Sequence, residues 1–304
     1  MILVVGATGL LGMRICQRLR DEGKRVRALV RTTSDPQKTN QLQSSGCELV
    51  VGDLKRRAEV EAACRGVSAV ISTASSTLSR QPGDSIETVD LHGQLTLVNA
   101  AKAAGVQRFV YVSFRNNPAI QYPLAEAKRA VEEAIADLDF TSIQASWFME
   151  LWLSPALGFD YMNCKVRIYG DGSKPISWVS YYDVAEFCIA PVIRNVASRA
   201  VLQVGGPEPF NPSQVVEIFE QESGRQFEIE LVPESRVREQ FDSSSDSLQK
   251  SFAGLMLQYS QGDPMDMADL LRVIPVRLTS VREYAKSVLA RAKAASATLS
   301  GEVT

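Results

Sequence analysis

The chain has 304 residues, 45% hydrophobic and 22% charged, which is ordinary globular composition and ample for a buried core. A net charge of −2 gives no basic footprint for nucleic acid. No apolar run reaches the roughly 20 residues that span a bilayer. The opening MILVVGATG has no basic stretch ahead of its apolar residues, so it reads as a core strand and not a secretory signal. The cysteines (Cys16, Cys47, Cys64, Cys164 and Cys188) are scattered without C-x-x-C spacing, and His92 is the one histidine. That pattern offers no metal site and suits reduced thiols, so a cytoplasmic location is expected.

Residues 1–145 alternate short apolar runs with amphipathic segments. Strands are predicted at 2–5, 25–30, 47–52, 69–72, 109–113 and 140–144, several of them apolar throughout, as in parallel strands covered on both faces. Helices are predicted at 10–22, 57–64, 89–104 and 123–138, with Gly23, Gly66 and Gly105 as left-handed stops. This alternation predicts an α/β fold with a doubly wound parallel sheet of the Rossmann type. Residues 1–150 would form the dinucleotide-binding domain. Residues 151–304 would form a smaller mixed α/β portion on the substrate side, returning some elements to the sheet.

Beyond residue 146 the pattern loosens. Residues 147–152 are rich in aromatics, and YGDGSKP (169–175) is a turn. Ser180 to Asp183 fits a capping box ahead of a helix. A strand at 201–204 ends in Gly205-Gly206-Pro207, and Asn211-Pro212 opens a helix to about Ser223. Another strand is predicted at 226–232, followed by mostly helical sequence. SSSDS (243–247) reads as a loop and 293–304 as a fraying tail.

GATGLLG (6–12) stands between the first strand and the first helix. Gly6 suits a tight turn, Gly9 lets backbone approach a pyrophosphate, and Gly12 lets the helix pack closely on the sheet. The helix N-terminus adds unpaired N–H groups for the anion. Gly6, Thr8, Gly9, Leu10, Leu11 and Gly12 are therefore the candidate phosphate-binding residues. An NAD site usually ends the next strand with an acid, about 20 residues on. Here VRALV runs into Arg31, then Thr32, Thr33 and Ser34, a set that suits a 2′-phosphate. NADP(H) is expected over NAD(H). Asp35 comes four residues late and reads as the start of a turn with Pro36; Arg27 and Lys38 are possible helpers of Arg31. The alternative for Arg31 is a solvated charge at a strand end.

GATGLLG, VRALVR, GDL (52–54), AVISTAS (69–75), VDLHGQLTLVNAAKAAGV (89–106) and RFVYVS (108–113) follow one another in an order that resembles the atypical short-chain dehydrogenase/reductase superfamily. The resemblance is greatest to its NmrA-like branch, which includes isoflavone-reductase-type enzymes, quinone reductases and redox-sensing regulators. ISWVSYYDVAEF (176–187) and VLQVGGPEPFNPSQVVEIF (201–219) resemble later segments of that branch, so roughly residues 1–235 are covered. The resemblance implies that Asp53 and Leu54 border the adenine. It places Thr73, Ala74 and Ser75 along the ribose and pyrophosphate, and Ser113 near the nicotinamide.

Many reductases of this superfamily use a Tyr-x-x-x-Lys pair, in which the lysine lowers the tyrosine pKa and the phenol carries the proton accompanying hydride transfer. In Tyr122-Pro-Leu-Ala-Glu-Ala-Lys128 the lysine aligns, but Leu124 occupies the tyrosine position. Isoflavone-reductase-like members also lack that tyrosine and resemble this chain in keeping a lysine here. Lys128 then donates a proton or anchors the nicotinamide ribose; otherwise it is a surface cation paired with Glu132 one turn on. Ser113 is followed by Phe114 and Arg115 rather than more serines, which speaks against a catalytic role, and His92 reads as structural. Trp147, Phe148 and Trp152 either line a pocket for a flat substrate such as a quinone or form the seam between the two parts of the molecule.

The expected function is NADPH-dependent transfer of hydride to a small apolar carbonyl, enone or quinone. The alternative is a non-catalytic NADP(H)-binding redox sensor, or a regulatory or assembly protein acting through a protein partner. A direct DNA-binding repressor does not suit the acidic balance.

Overall fold

A computed structural model describes residues 1–78, 80–115 and 117–301. The first half runs β1 (Ile2–Val5), α1 (Leu10–Asp21), β2 (Val26–Val30), α2 (Pro36–Ser44), β3 (Glu48–Val51), α3 (Arg57–Cys64), β4 (Ala69–Ser72), α4 (Gln94–Ala103), β5 (Arg108–Ser113), α5 (Pro123–Ile135) and β6 (Phe140–Ala145). After α6 (Met149–Trp152) come β7 (Phe159–Asp160), β8 (Lys165–Tyr169), α7 (Tyr181–Ile193), β9 (Ala200–Val204) and α8 (Pro212–Ser223). The chain closes with β10 (Glu228–Val232), α9 (Glu234–Ser243), α10 (Ser247–Ser260), α11 (Ala268–Val273) and α12 (Val281–Gly301).

The main sheet is parallel throughout, in the order β3-β2-β1-β4-β5-β6-β9. Alternate residues of β1 feed opposite cores. Ile2 and Val4 pack with Ile15, Cys16 and Leu19 of α1 on one face, while Leu3 and Val5 pack with α3 and α4 residues on the other. Each such aliphatic side chain withdrawn from water contributes roughly 1.5–3 kcal/mol. This double burial is why the strands read as continuous apolar runs. Gly23, Gly66 and Gly105 take φ of +69°, +71° and +67° and end α1, α3 and α4 as left-handed stops.

Two segments of the first half depart from the sequence expectation, and beyond it α6, β7 and β8 are elements the sequence does not predict. Helix α2 was not expected, because only Leu42 on it is buried and its periodicity is correspondingly weak. Its signal lies in its start: the Asp35 carboxylate accepts the Gln37 N–H at 2.8 Å and Pro36 sits in the first turn, so Asp35 is a helix cap and not merely a turn residue. The helix expected from residue 89 begins earlier, with a π-helical stretch Ile86–Gly93 capped reciprocally by Ser85 and Thr88.

The later elements extend the sheet and cover its edge. β9 adds the seventh strand, and α7 lies against α1, fastened by Arg18 Nε to Glu186 at 2.6 Å. β8 pairs with β10 in parallel and with β7 antiparallel in a second, three-stranded sheet. Its core is aromatic, with Trp178 and Phe219 fully buried beside Tyr259 and Tyr284. α10 crosses α5 closely because Gly254 leaves room for the Tyr122 ring; a Cβ there would meet that ring at 2.5 Å. In place of the fraying tail expected at 293–304, the chain is helical to Gly301 as the end of α12; residues 302–304 lie outside the described residues. Among the described residues, no helix is long and apolar enough to cross a membrane. All five cysteines are buried and unbridged.

The expected capping box at Ser180 is only half formed. Ser180 Oγ accepts the Tyr182 N–H, but Asp183 turns its carboxylate to the Thr279 N–H at 2.6 Å and hydroxyl at 3.0 Å. Asp183 thereby ties α7 to the segment ahead of α12. Ser180→Ala is expected to cost about 1 kcal/mol of stability, the usual value of an N-cap, read by denaturant unfolding. No change would show that neither this cap nor the bond Ser180 donates to Glu150 contributes net stability.

Candidate functional site

The parallel strands bring their carboxyl ends to one edge, where the order reverses about β1 and β4. Open α/β sheets hold ligands at such a point. A cavity of about 860 Å³ opens there. Gly6 leaves β1 at φ +82°, and a Cβ on it would lie 2.6 Å from Thr73 Oγ1 and 2.8 Å from the Ala74 nitrogen. A Cβ on Gly12 would lie 2.1 Å from the Gly6 carbonyl oxygen, so α1 begins in contact with its own entry turn. Gly9 is the N-cap of α1 and no side chain caps the helix, while Leu10, Leu11 and Gly12 of its first turn line the cavity. A turn that side chains would fill, next to an uncapped helix N-terminus, fits a pyrophosphate.

The remaining candidates come from the ends of β2, β3, β4 and β5 and, for Lys128, from α5. Arg31, Asp53, Leu54, residues 73–75, Ser113 and Lys128 all line this cavity together with Thr8. Thr32 does not; Thr33 and Ser34 take its place in the wall, because residues 32–34 form a turn beyond β2, where strand alternation no longer sets which side chain faces the cavity. Arg27 is also elsewhere, held by Glu48 at 2.7 Å and the Ala63 carbonyl at 2.9 Å, whereas Lys38 lines the wall.

Arg31 is paired rather than solvated. Its Nη1 lies 2.6 Å from Asp84, whose side chain is 1% exposed and also accepts Lys55 and the Gln81 N–H. Burial pushes the Asp84 carboxyl up, but the bonds from Lys55, Gln81 and Arg31 outweigh it and hold it below its usual pKa. Asp53 accepts the Lys55 N–H at 2.9 Å and sits 3.5 Å from its ammonium.

At the other end Lys128 is buried, its Nζ donating to the Val112 carbonyl at 3.1 Å and lying 4.8 Å from the Tyr111 ring centre. It is not the surface partner of Glu132: that carboxylate holds Arg129 at 2.6 Å and the Ser142 hydroxyl. Burial lowers the Lys128 pKa, against the attraction of Asp90 and Glu132. Leu124 lines the wall close by, while Tyr122 points behind it and donates to Gln258 Oε1 at 2.8 Å. Ser113 Oγ accepts Arg129 at 2.7 Å. His92 is exposed and outside the cavity.

The aromatic cluster both lines the cavity and packs into the second core. Trp147 and Trp152 meet edge to face at 4.5 Å between ring centres and line the cavity, and with Tyr259 they belong to the second core. Sequence reasoning missed several polar residues in this chamber, among them Ser146, Glu150, Gln258 and Asp263. The Ser146 hydroxyl is buried without an aligned partner, and Asp263 is 3% exposed and ion-paired with Arg115. Burial raises the Asp263 pKa. The loop after β5 is clasped to the end of α10: Gln258 donates to the Arg115 carbonyl at 2.8 Å, and Asn117 donates to Gln261 at 2.6 Å. No local pattern announces residues brought together across more than a hundred positions.

An all-parallel sheet with a glycine loop at its reversal point and a covered edge is the NAD(P)-binding reductase fold. The chain belongs to the NmrA-like family, whose model matches residues 1–285. It is 30% identical over 237 residues to the photosystem II assembly factor Ycf39 of Guillardia theta, covering 76% of this chain and 73% of that protein. To the isoflavone reductase homolog IRL of Zea mays it is 28% identical over 309 residues, covering 93% and 96%. The NADPH-dependent quinone oxidoreductase QOR2 of Escherichia coli, solved with NADPH, superposes with a TM-score of 0.76 at 22% identity, covering 95% of this chain and all (100%) of that one. At that identity the superposition shows the fold.

Proposed function

We propose that the chain binds NADP(H) along this cavity and passes hydride to a small, flat, apolar carbonyl, enone or quinone. The observation that carries the reading is continuity. One cavity joins an uncapped glycine-loop helix to a chamber walled by Trp147, Leu151, Trp152 and Leu255, with a buried lysine in its lining. A reduced nicotinamide supplies hydride when bound, and in this reading a side chain of the wall gives the accompanying proton. Leu124 has none to give. Lys128 does: burial weakens its hold on the proton, and the Val112 carbonyl fixes the amine in the wall.

Arg31 is the group that favours a 2′-phosphate. Arg31→Glu is expected to weaken NADPH binding about tenfold or more while leaving NADH nearly unchanged, as reversal of a charge beside a phosphate requires. Titration of tryptophan fluorescence with both cofactors reads this. An unaltered preference would remove Arg31 from the argument.

A second reading has its own support in Leu124 and in the likeness to photosystem II assembly factors. In it the chain binds NADP(H) without turnover and passes the cofactor's redox state to a protein partner. Titration with NADPH, NADP⁺ and NADH, followed by an NADPH-consumption screen over quinones, enones and carbonyls, separates the two. Turnover supports the reductase; tight binding without turnover across the panel supports the sensor.

A further inference from the structure

The end of the cavity that Arg31 occupies carries no net charge. Arg31, Lys55 and Lys38 are three cations and Asp53, Asp84 and Asp35 three carboxylates; Arg31, Asp84, Lys55 and Asp53 form one chain of ion pairs in that order. A phosphate monoester brings between one and two negative charges at neutral pH. It therefore meets an arginine already engaged at Nη1, together with a lysine shared between two carboxylates. Asp84 lines the cavity and its side chain is almost wholly buried, so its charge is poorly screened from a ligand there. It cannot swing aside cheaply either, since two cations and the Gln81 N–H hold it. A ribose 2′-hydroxyl, by contrast, finds carboxylate acceptors at this end.

We propose that Asp84 is the specificity-determining residue at this end: its carboxylate competes with the ligand's 2′-phosphate for Arg31 and Lys55 and holds down the discrimination between NADP(H) and NAD(H). The inference rests on the reading of the cavity as a dinucleotide site. It makes the preference of Arg31 a restrained one. Asp35, the acid nearest in sequence, does not play this part, because its carboxylate is turned to the Gln37 N–H as a helix cap. Removing the Asp84 charge does not strand buried cations, because the Arg31 and Lys55 side chains keep 28% and 24% of their exposure.

Adenosine fragments isolate this end of the cavity from any chemistry at the other. Calorimetric titration of the full chain with 2′,5′-ADP and with 5′-AMP is the test. In Asp84→Asn, 2′,5′-ADP is expected to bind about tenfold more tightly, with 5′-AMP within about twofold of the wild type. In Lys55→Met, which leaves Asp84 paired with Arg31, 2′,5′-ADP is expected to bind about fivefold more weakly, since Asp84 then repels the phosphate with one counter-cation fewer. Unchanged or weaker binding of 2′,5′-ADP to Asp84→Asn overturns the inference. If Asp84→Asn loses 5′-AMP as well through misfolding, Lys55→Met decides: unchanged 2′,5′-ADP affinity overturns it, and selective weakening supports it. Failure of both fragments to bind the wild-type chain overturns the dinucleotide reading itself, and this inference with it.

Discussion

Gly12→Ala is expected to abolish dinucleotide binding and to destabilise the whole chain. The added methyl carbon would stand 2.1 Å from the Gly6 carbonyl oxygen, 2.8 Å from its carbon and 3.0 Å from the Ala7 Cα. All three are backbone atoms of the turn between β1 and α1, so no side chain can rotate away. Relief requires α1 to move off the sheet, and α1 carries Ile15, Cys16 and Leu19 into the main core and Arg18 to Glu186 on α7. The cost is about 3 kcal/mol, at the upper end for overpacking, because rigid backbone must yield. The same displacement takes the N–H groups of the first turn away from any phosphate, so NADPH affinity should fall by about a hundredfold or more. Denaturant unfolding and fluorescence titration read the two effects separately. A variant with wild-type stability and affinity would show that the turn has room the geometry denies.

Lys128→Met is expected to lower turnover by about 10²–10³-fold while leaving NADPH affinity within a few-fold of the wild type, the range for loss of a positioned proton donor. Methionine follows the apolar stem of lysine and fills the same buried slot. It removes the ammonium that the Val112 carbonyl holds. Stability should not suffer. Burial lowers the lysine pKa in the folded chain, so the unfolded chain binds that proton more readily. The ammonium therefore opposes folding, fully so below the depressed folded pKa and fading as pH rises towards the ordinary lysine value. Replacement by an uncharged side chain lifts that cost at neutral pH. Steady-state NADPH consumption, set beside cofactor titration and thermal unfolding, checks all three statements. A variant as active as the wild type would move the proton to the Ser146 and Asp263 end of the chamber.

The parts legible in sequence are those written in local pattern. Strands β1 and β4 fall at their predicted residues, and β2, β3, β5, β6, β9 and β10 within a residue or two, because strands buried on both faces are apolar at every position; β7 and β8, outside the main sheet, are not predicted at all. The glycine loop is legible for a similar reason: strand, turn and helix are contiguous, and the spacing reports their contacts directly. Helix α2 was hidden because a helix with one buried residue has no apolar stripe to read. Sequence points to Thr32 where the cavity takes Thr33 and Ser34, since which residue faces the cavity depends on the backbone's direction past the strand end. The environment of Lys128 was open in sequence, where helical spacing offered Glu132 as a partner. The fold instead gives Glu132 to Arg129 and closes β5 and α10 around the lysine's helix.

The sequence by itself determined the sheet, the cradle at its first turn and the absence of a tyrosine at position 124. Each of these is a matter of neighbours along the chain. Only the tertiary structure decided what surrounds the cradle. Asp84 reaches Arg31 across 53 positions, and Asp263 and Gln258 come to the chamber from an α10 region that carries no motif. The reason is that an ion pair or a cavity wall depends on distance in space, and residues far apart in sequence carry no periodicity that records it. The arginine at the end of β2 was therefore plain to see, but the carboxylate that restrains it was not.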